Sequence, residues 1–166
     1  MQREHAGARA VHRSEDGFTL LELMMVILII AILIAVLMPV VAGAQTRAKD
    51  RAAQSTLDDA VKAAKVVYTD KQDYTQATPA ALTAAIGAGS LLFVDDVTAP
   101  STNKTVSVAP VSQSYVVLGT YSKSGSCFYV SDDATAGTMY AKMGGAGGCA
   151  ASGAPLPGDP AWKTQW

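Results

Sequence analysis

The residues that could do chemistry in this chain are few. Glu22 is a carboxylate within the apolar run at 17–44, which is uncharged from Met24 to Val41. An acid deep in a bilayer costs roughly 2.5 to 3.5 kcal/mol on insertion scales, so such a residue marks a functional position by default. Cys127 and Cys149 both fall in the carboxyl-terminal third. On an exported domain they are expected to pair, which would contribute roughly 3 kcal/mol in the chain-entropy model; two buried free thiols are the alternative. Asp132 and Asp133 offer the hard oxygen ligands that suit calcium, but two adjacent acids are insufficient, and a solvated turn is the better reading. The histidines, His5 and His12, lie at the amino-terminal end.

These positions depend on the element at residues 17–44. Leu23 to Ala42 is 20 residues, about the number a helix rising 1.5 Å per residue needs to cross roughly 30 Å of hydrocarbon. The run Gly17-Phe18-Thr19-Leu20-Leu21-Glu22, at the head of this helix and behind a short polar leader, resembles the processing motif of type IV prepilins. The resemblance implies that a membrane aspartyl peptidase cuts between Gly17 and Phe18 and methylates the Phe18 amine. It places Glu22 on the family's glutamate and Pro39 on its helix-kinking proline. It further implies a helical homopolymer served by a cytoplasmic assembly ATPase and a membrane platform protein, with the leader in the cytoplasm and the head outside. The local pattern Ser122-Lys123-Ser124-Gly125-Ser126-Cys127-Phe128-Tyr129, with distal Cys149, looks most like pilins of actinobacteria and their neighbours. No cofactor or metal ligand set is assigned.

Cleavage after Gly17 would leave Phe18 with a positive amine and remove both histidines. A Ser-His-Asp or Cys-His arrangement could not then be built, and zinc spacings that need histidine or paired CxxC motifs are absent, which weighs against an enzyme. Glu22 lies one helical turn from Phe18, so it could pair with its own amine or stabilise the positive helix end. In a filament of staggered subunits it could instead pair with a neighbour's amine, and the resemblance favours that role. A competing reading takes Ala42-Gly43-Ala44 as a signal-peptidase site and begins the mature chain at Gln45. Charge does not orient the span, because Arg3, Arg9 and Arg13 before it match Arg47, Lys49 and Arg51 after it. Pro39, with Gly43 close behind, is expected to kink or loosen the helix.

With 166 residues, the chain has room for one modest domain and an appendage. Hydrophobic residues make up 49% and charged ones 16%, an excess that the membrane segment largely explains. A net charge of −1 gives no basic field for generic nucleic-acid binding. The glycine run at 144–148 lacks the Lys-Ser/Thr of a P-loop.

From Gln45 the pattern turns amphipathic, with Ala53, Leu57, Ala60, Val61, Ala64, Val67 and Tyr68 at three- and four-residue steps. Asp58 and Lys62 are expected on the solvated face. The helix should end at 70–74, and Thr78-Pro79 should open a short helix stopped by Gly87. Residues 91–94 could form a short buried strand, and 95–104 a turn-rich loop. Runs at 105–108, 115–120, 127–131 and 138–142, rich in β-branched and aromatic residues, predict an antiparallel meander. The expected fold is α+β: a long helix, membrane-spanning then amphipathic, packed on a small antiparallel sheet. Its parts are a leader (1–17), a transmembrane and filament-core helix (18–44), an amphipathic helix (45–69), a head (70–153) and a flexible tail (154–166). Trp162 and Trp166 in that tail could dock on the head or meet another subunit. The reading is a pilus subunit; the alternatives are a pseudopilin of a secretion or competence machine and a non-assembling secreted or anchored binding domain.

Overall fold

The computed structural model describes residues 17–87, 89–145 and 148–166. Residues 1–16 of the leader expected at 1–17, with His5 and His12, lie outside the described residues, as do two positions of the glycine run. The chain divides into two compact units, Met1–Val41 and Ala42–Trp166, and one helix, α1 (Leu20–Lys71), contributes to both.

In the first unit, every large apolar side chain from residue 20 to 41 is exposed, from 43% at Val26 to 76% at Leu20. A helix that is apolar on all sides requires lipid or protein around it. This is the one helix among the described residues that is long and apolar enough to cross a membrane. Helical structure continues through Pro39 and Gly43. Pro39 has no N–H to donate to the Ala35 carbonyl, so the helix lacks one backbone hydrogen bond there.

In the second unit, α1 buries Ala53, Thr56, Leu57, Ala60, Val61, Ala63, Ala64 and Val67. The face is the one its periodicity predicts, and its many alanines allow close approach to the sheet. The helix ends at Gln72, whose left-handed backbone (φ 56°) accompanies an N–H donated to the Tyr68 carbonyl at 2.6 Å. A 3-10 turn (Tyr74–Gln76) follows, with the Asp73 carboxylate accepting the Thr75 N–H. In α2 (Pro79–Ile86), the Thr78 hydroxyl accepts the Ala81 N–H at 3.3 Å, and Gly87 closes the helix at φ 83°.

Five strands form one sheet in sequence order: β1 (Leu92–Val94), β2 (Thr105–Pro110), β3 (Tyr115–Ser122), β4 (Ser126–Asp133) and β5 (Gly137–Gly144). The meander from β2 to β5 is antiparallel as expected, each strand extending beyond its predicted core. β1 joins it in parallel, with Phe93 opposite Val106, because residues 95–104 carry the chain back before β2 begins.

The sheet is covered on both faces. Val106, Val108, Val116, Leu118, Phe128 and Val130 pack with the α1 residues, α2's Leu82 and Tyr74. The other face buries Ala109, Val117, Cys127, Tyr129 and Ala141 with Cys149, Ala151 and Trp162 of the carboxyl-terminal segment. The tail therefore departs from the flexible segment expected at 154–166. Its residue Lys163 bridges to Tyr140 on β5, and the Trp166 ring lies 4.7 Å from that of Tyr140 and 5.3 Å from that of Phe128. Burial of aromatic surface on a strand edge is the physical reason for its order. Gly119 admits the carboxyl-terminal segment at close range: a Cβ there would stand 2.7 Å from the Cys149 carbonyl and 2.9 Å from the Tyr129 ring.

Candidate functional site

Thr19 positions the amino-terminal candidates. Its hydroxyl accepts the Glu22 N–H at 3.1 Å, and its carbonyl accepts the Leu23 N–H at 3.2 Å. Thr19 is thus the N-cap of α1, and the Thr-x-x-Glu spacing that would have identified it is that of a capping box. Glu22 lies in the first helical turn and is exposed, with Gly17 and Phe18 exposed just before the helix. No ion pair involves Glu22 among the described residues. At this end of a helix an anion is stabilised by unsatisfied N–H groups. Pro39 and Gly43 lie on the same helix, away from this end.

Cys127 and Cys149 form a disulfide, with S–S 2.03 Å and Cα–Cα 5.1 Å. It ties the carboxyl-terminal segment to β4 across the face opposite α1.

Two polar hubs join α1 to the sheet, and neither was foreseen. In the first, Asp132 on β4 is buried. It accepts from Tyr74 Oη and Thr138 Oγ1, each at 2.5 Å, and Lys65 Nζ lies 3.1 Å from it. Burial pushes the Tyr74 phenol up, and the hydrogen bond to the Asp132 carboxylate adds to this. The solvated turn expected at 132–133 is thereby corrected for Asp132, because strand pairing turns its side chain inward. Asp133 remains in the turn, where the Thr135 hydroxyl and the Thr135 and Ala136 amides hold its carboxyl below the usual carboxylate value. Both carboxylates are engaged by protein donors, and no group of three potential metal ligands occurs among the described residues.

In the second hub, Asp50 on α1 accepts from Lys142 Nζ at 2.8 Å, from Ser122 Oγ at 2.7 Å and from Ser124 Oγ. Partial desolvation pushes its carboxyl up, but Lys142 and the two serines together outweigh that and leave it below the usual carboxylate value. The clue in the sequence was a lone acid among Arg47, Lys49 and Arg51. On the outer face of α1, Lys62 pairs with Asp59 at 2.9 Å in place of the Asp58 four residues away. Trp162 is buried, and its indole N–H donates to the carbonyls of Pro155 and Leu156 at 3.2 and 3.1 Å.

Residues 12–38 match the family model of the prokaryotic N-terminal methylation motif. No curated protein and no solved structure matches the chain. The matched segment contains Gly17, Phe18 and Glu22 and most of the exposed apolar helix, and the head combines a helix, an antiparallel sheet and a carboxyl-terminal disulfide in a pilin-like α+β arrangement. Residues 12–38 carry the prokaryotic N-terminal methylation motif, and by that motif the chain is similar to type IV prepilins and pseudopilins.

Proposed function

We propose that the chain is a structural subunit of a type IV pilus. It enters the cytoplasmic membrane as a single-pass precursor, is cut after Gly17, is methylated on Phe18 and is then drawn into an extracellular filament. Residues 1–17 leave, 18–44 form the filament core, and the remainder forms the outer surface. The observation that carries this reading is the matched methylation motif lying on a helix whose apolar side chains are all exposed from residue 20 to 41. Packing these helices together replaces lipid contacts with protein contacts, and Glu22 paired with the Phe18 amine of a neighbouring copy sets the stagger. The work of extraction belongs to a cytoplasmic ATPase and a membrane platform protein. A pseudopilin would share the processing and insertion steps and differ in filament length and partner. Intact mass and terminal sequencing of the protein from its native host test the reading. A chain beginning at methylated Phe18 is expected; a start at Gln45 or an intact Met1 overturns it. Recovery in sheared surface filaments, as opposed to membranes alone, separates the pilus subunit from the pseudopilin.

A further inference from the structure

The second unit carries its charge unevenly. Where α1 enters it, Arg47, Lys49 and Arg51 are exposed within little more than one helical turn. Lys142 reaches the same stretch from β5, and Lys123 reaches it from the turn after β3. Asp50 is the one acid in residues 45–57, and its carboxylate is taken by Lys142, Ser122 and Ser124. Two open pockets flank the stretch. One, of about 400 Å³, is lined by Arg47, Asp50, Arg51, Gln54 and Trp166. The other, of about 250 Å³, is lined by Lys49, Lys123, Asn103 and two alanines. Arg47 and Arg51, four residues apart, share one helix face beside the Trp166 ring.

We propose that this basic collar binds the phosphates of anionic phospholipids at the membrane surface. The proposal rests on the membrane-anchored reading above. Arg47 follows Val41 by six residues, so along the chain the collar comes directly after the stretch that would cross the hydrocarbon. Helical side chains lean toward their own amino terminus. The guanidinium fork matches a phosphate with two parallel hydrogen bonds, and tryptophan favours the headgroup level.

The other chemically reasonable partner is an acidic surface on a second copy. Some of the acids that could supply one are engaged within the chain, whereas Asp58, Asp95, Asp96 and Asp159 make no ion pair among the described residues. Asp59 pairs with Lys62 and Asp70 with Lys71, Asp132 is buried with Lys65, and Asp73 and Asp133 accept from neighbouring threonines. The lipid is favoured because the collar directly follows the apolar stretch along the chain and has Trp166 beside it.

The test uses the full chain in bilayer nanodiscs of phosphatidylcholine doped with spin-labelled phosphatidylglycerol or spin-labelled phosphatidylcholine, and compares the fraction of each probe immobilised by the protein. The expected result is about a fivefold or greater preference for the anionic probe. It should fall toward parity in the Arg47→Gln/Arg51→Gln double variant and, for the unmodified protein, in 0.5 M salt, while Lys71→Gln retains it. Equal immobilisation of the two probes by the unmodified protein, or a preference that survives both the double variant and salt, overturns the proposal. So does a filament defect of the double variant that is rescued by reversing charge on an acid of another copy, without any lipid preference. Protein that inserts but does not discriminate refutes the collar alone; protein that does not enter the bilayer refutes the anchored reading as well.

Discussion

Tyr74 and Asp50 make pH dependence a property of single residues. Burial, and then the hydrogen bond to Asp132, hold the Tyr74 phenol above its ordinary value. The folded chain therefore keeps this proton more tightly than the unfolded chain, whose tyrosines titrate near about pH 10. The stabilisation is complete below that pH and is lost as pH rises toward the folded value. Melting temperature should fall above about pH 10, and Tyr74→Phe should shallow that fall while lowering stability at neutral pH by about 1 to 3 kcal/mol through the unmet Asp132 oxygen. Thermal melts across the alkaline range check both effects. Asp50 has the opposite sign, because its folded value is depressed. Its contribution is present above the unfolded value of about 3.9 and is lost as pH falls through the folded one. Asp50→Asn should melt lower at neutral pH and lose less on acidification, and matched melts at the two pH values would show it.

The element that holds the head together is the alanine-rich face of α1. Leu57 is fully buried there, and Leu57→Ala is expected to cost about 2 to 5 kcal/mol, whereas Val66→Ala, at a position 55% exposed, should stay within about 0.5 kcal/mol. Urea midpoints of the two variants measure the contrast. This face was legible because it depends only on three- and four-residue spacing, and the caps at Thr78 and Gly87 were legible for the same local reason. The cover on the opposite sheet face was harder to see. Val116-Val117-Leu118 and Cys127-Phe128-Tyr129-Val130 are nearly continuous apolar runs, a pattern that signals burial on both sides. The covering segment is rich in glycine, proline and alanine, and it takes its order from the disulfide and from Trp162 instead of any periodicity of its own.

For the molecule as a whole, the proposed pairing of Glu22 with a neighbour's amine predicts that insertion and assembly can be separated. Glu22→Val should still enter the membrane and be cleaved, since the apolar stretch and Gly17 remain, but it should yield no sheared filaments if the carboxylate pairs with a neighbour's amine. Blots of the membrane and sheared fractions would show this, and normal filaments from the variant would refute the pairing. The collar at Arg47 and Arg51 belongs to the same scale, because it joins one end of the head to a surface outside the chain.

The sequence by itself determined the apolar helix, its N-terminal methylation motif, the buried face of α1 and the four-strand meander. Each is encoded by neighbours along the chain: hydropathy over one segment, spacing over one turn, alternation over one strand. Only the tertiary structure decided the parallel docking of β1, the order of the tail and the two hubs centred on Asp132 and Asp50. Lys65 and Asp132 stand 67 residues apart, and Asp50 and Lys142 stand 92 apart. No local pattern records such meetings, because a side chain's partner across a core is set by strand register and helix placement together.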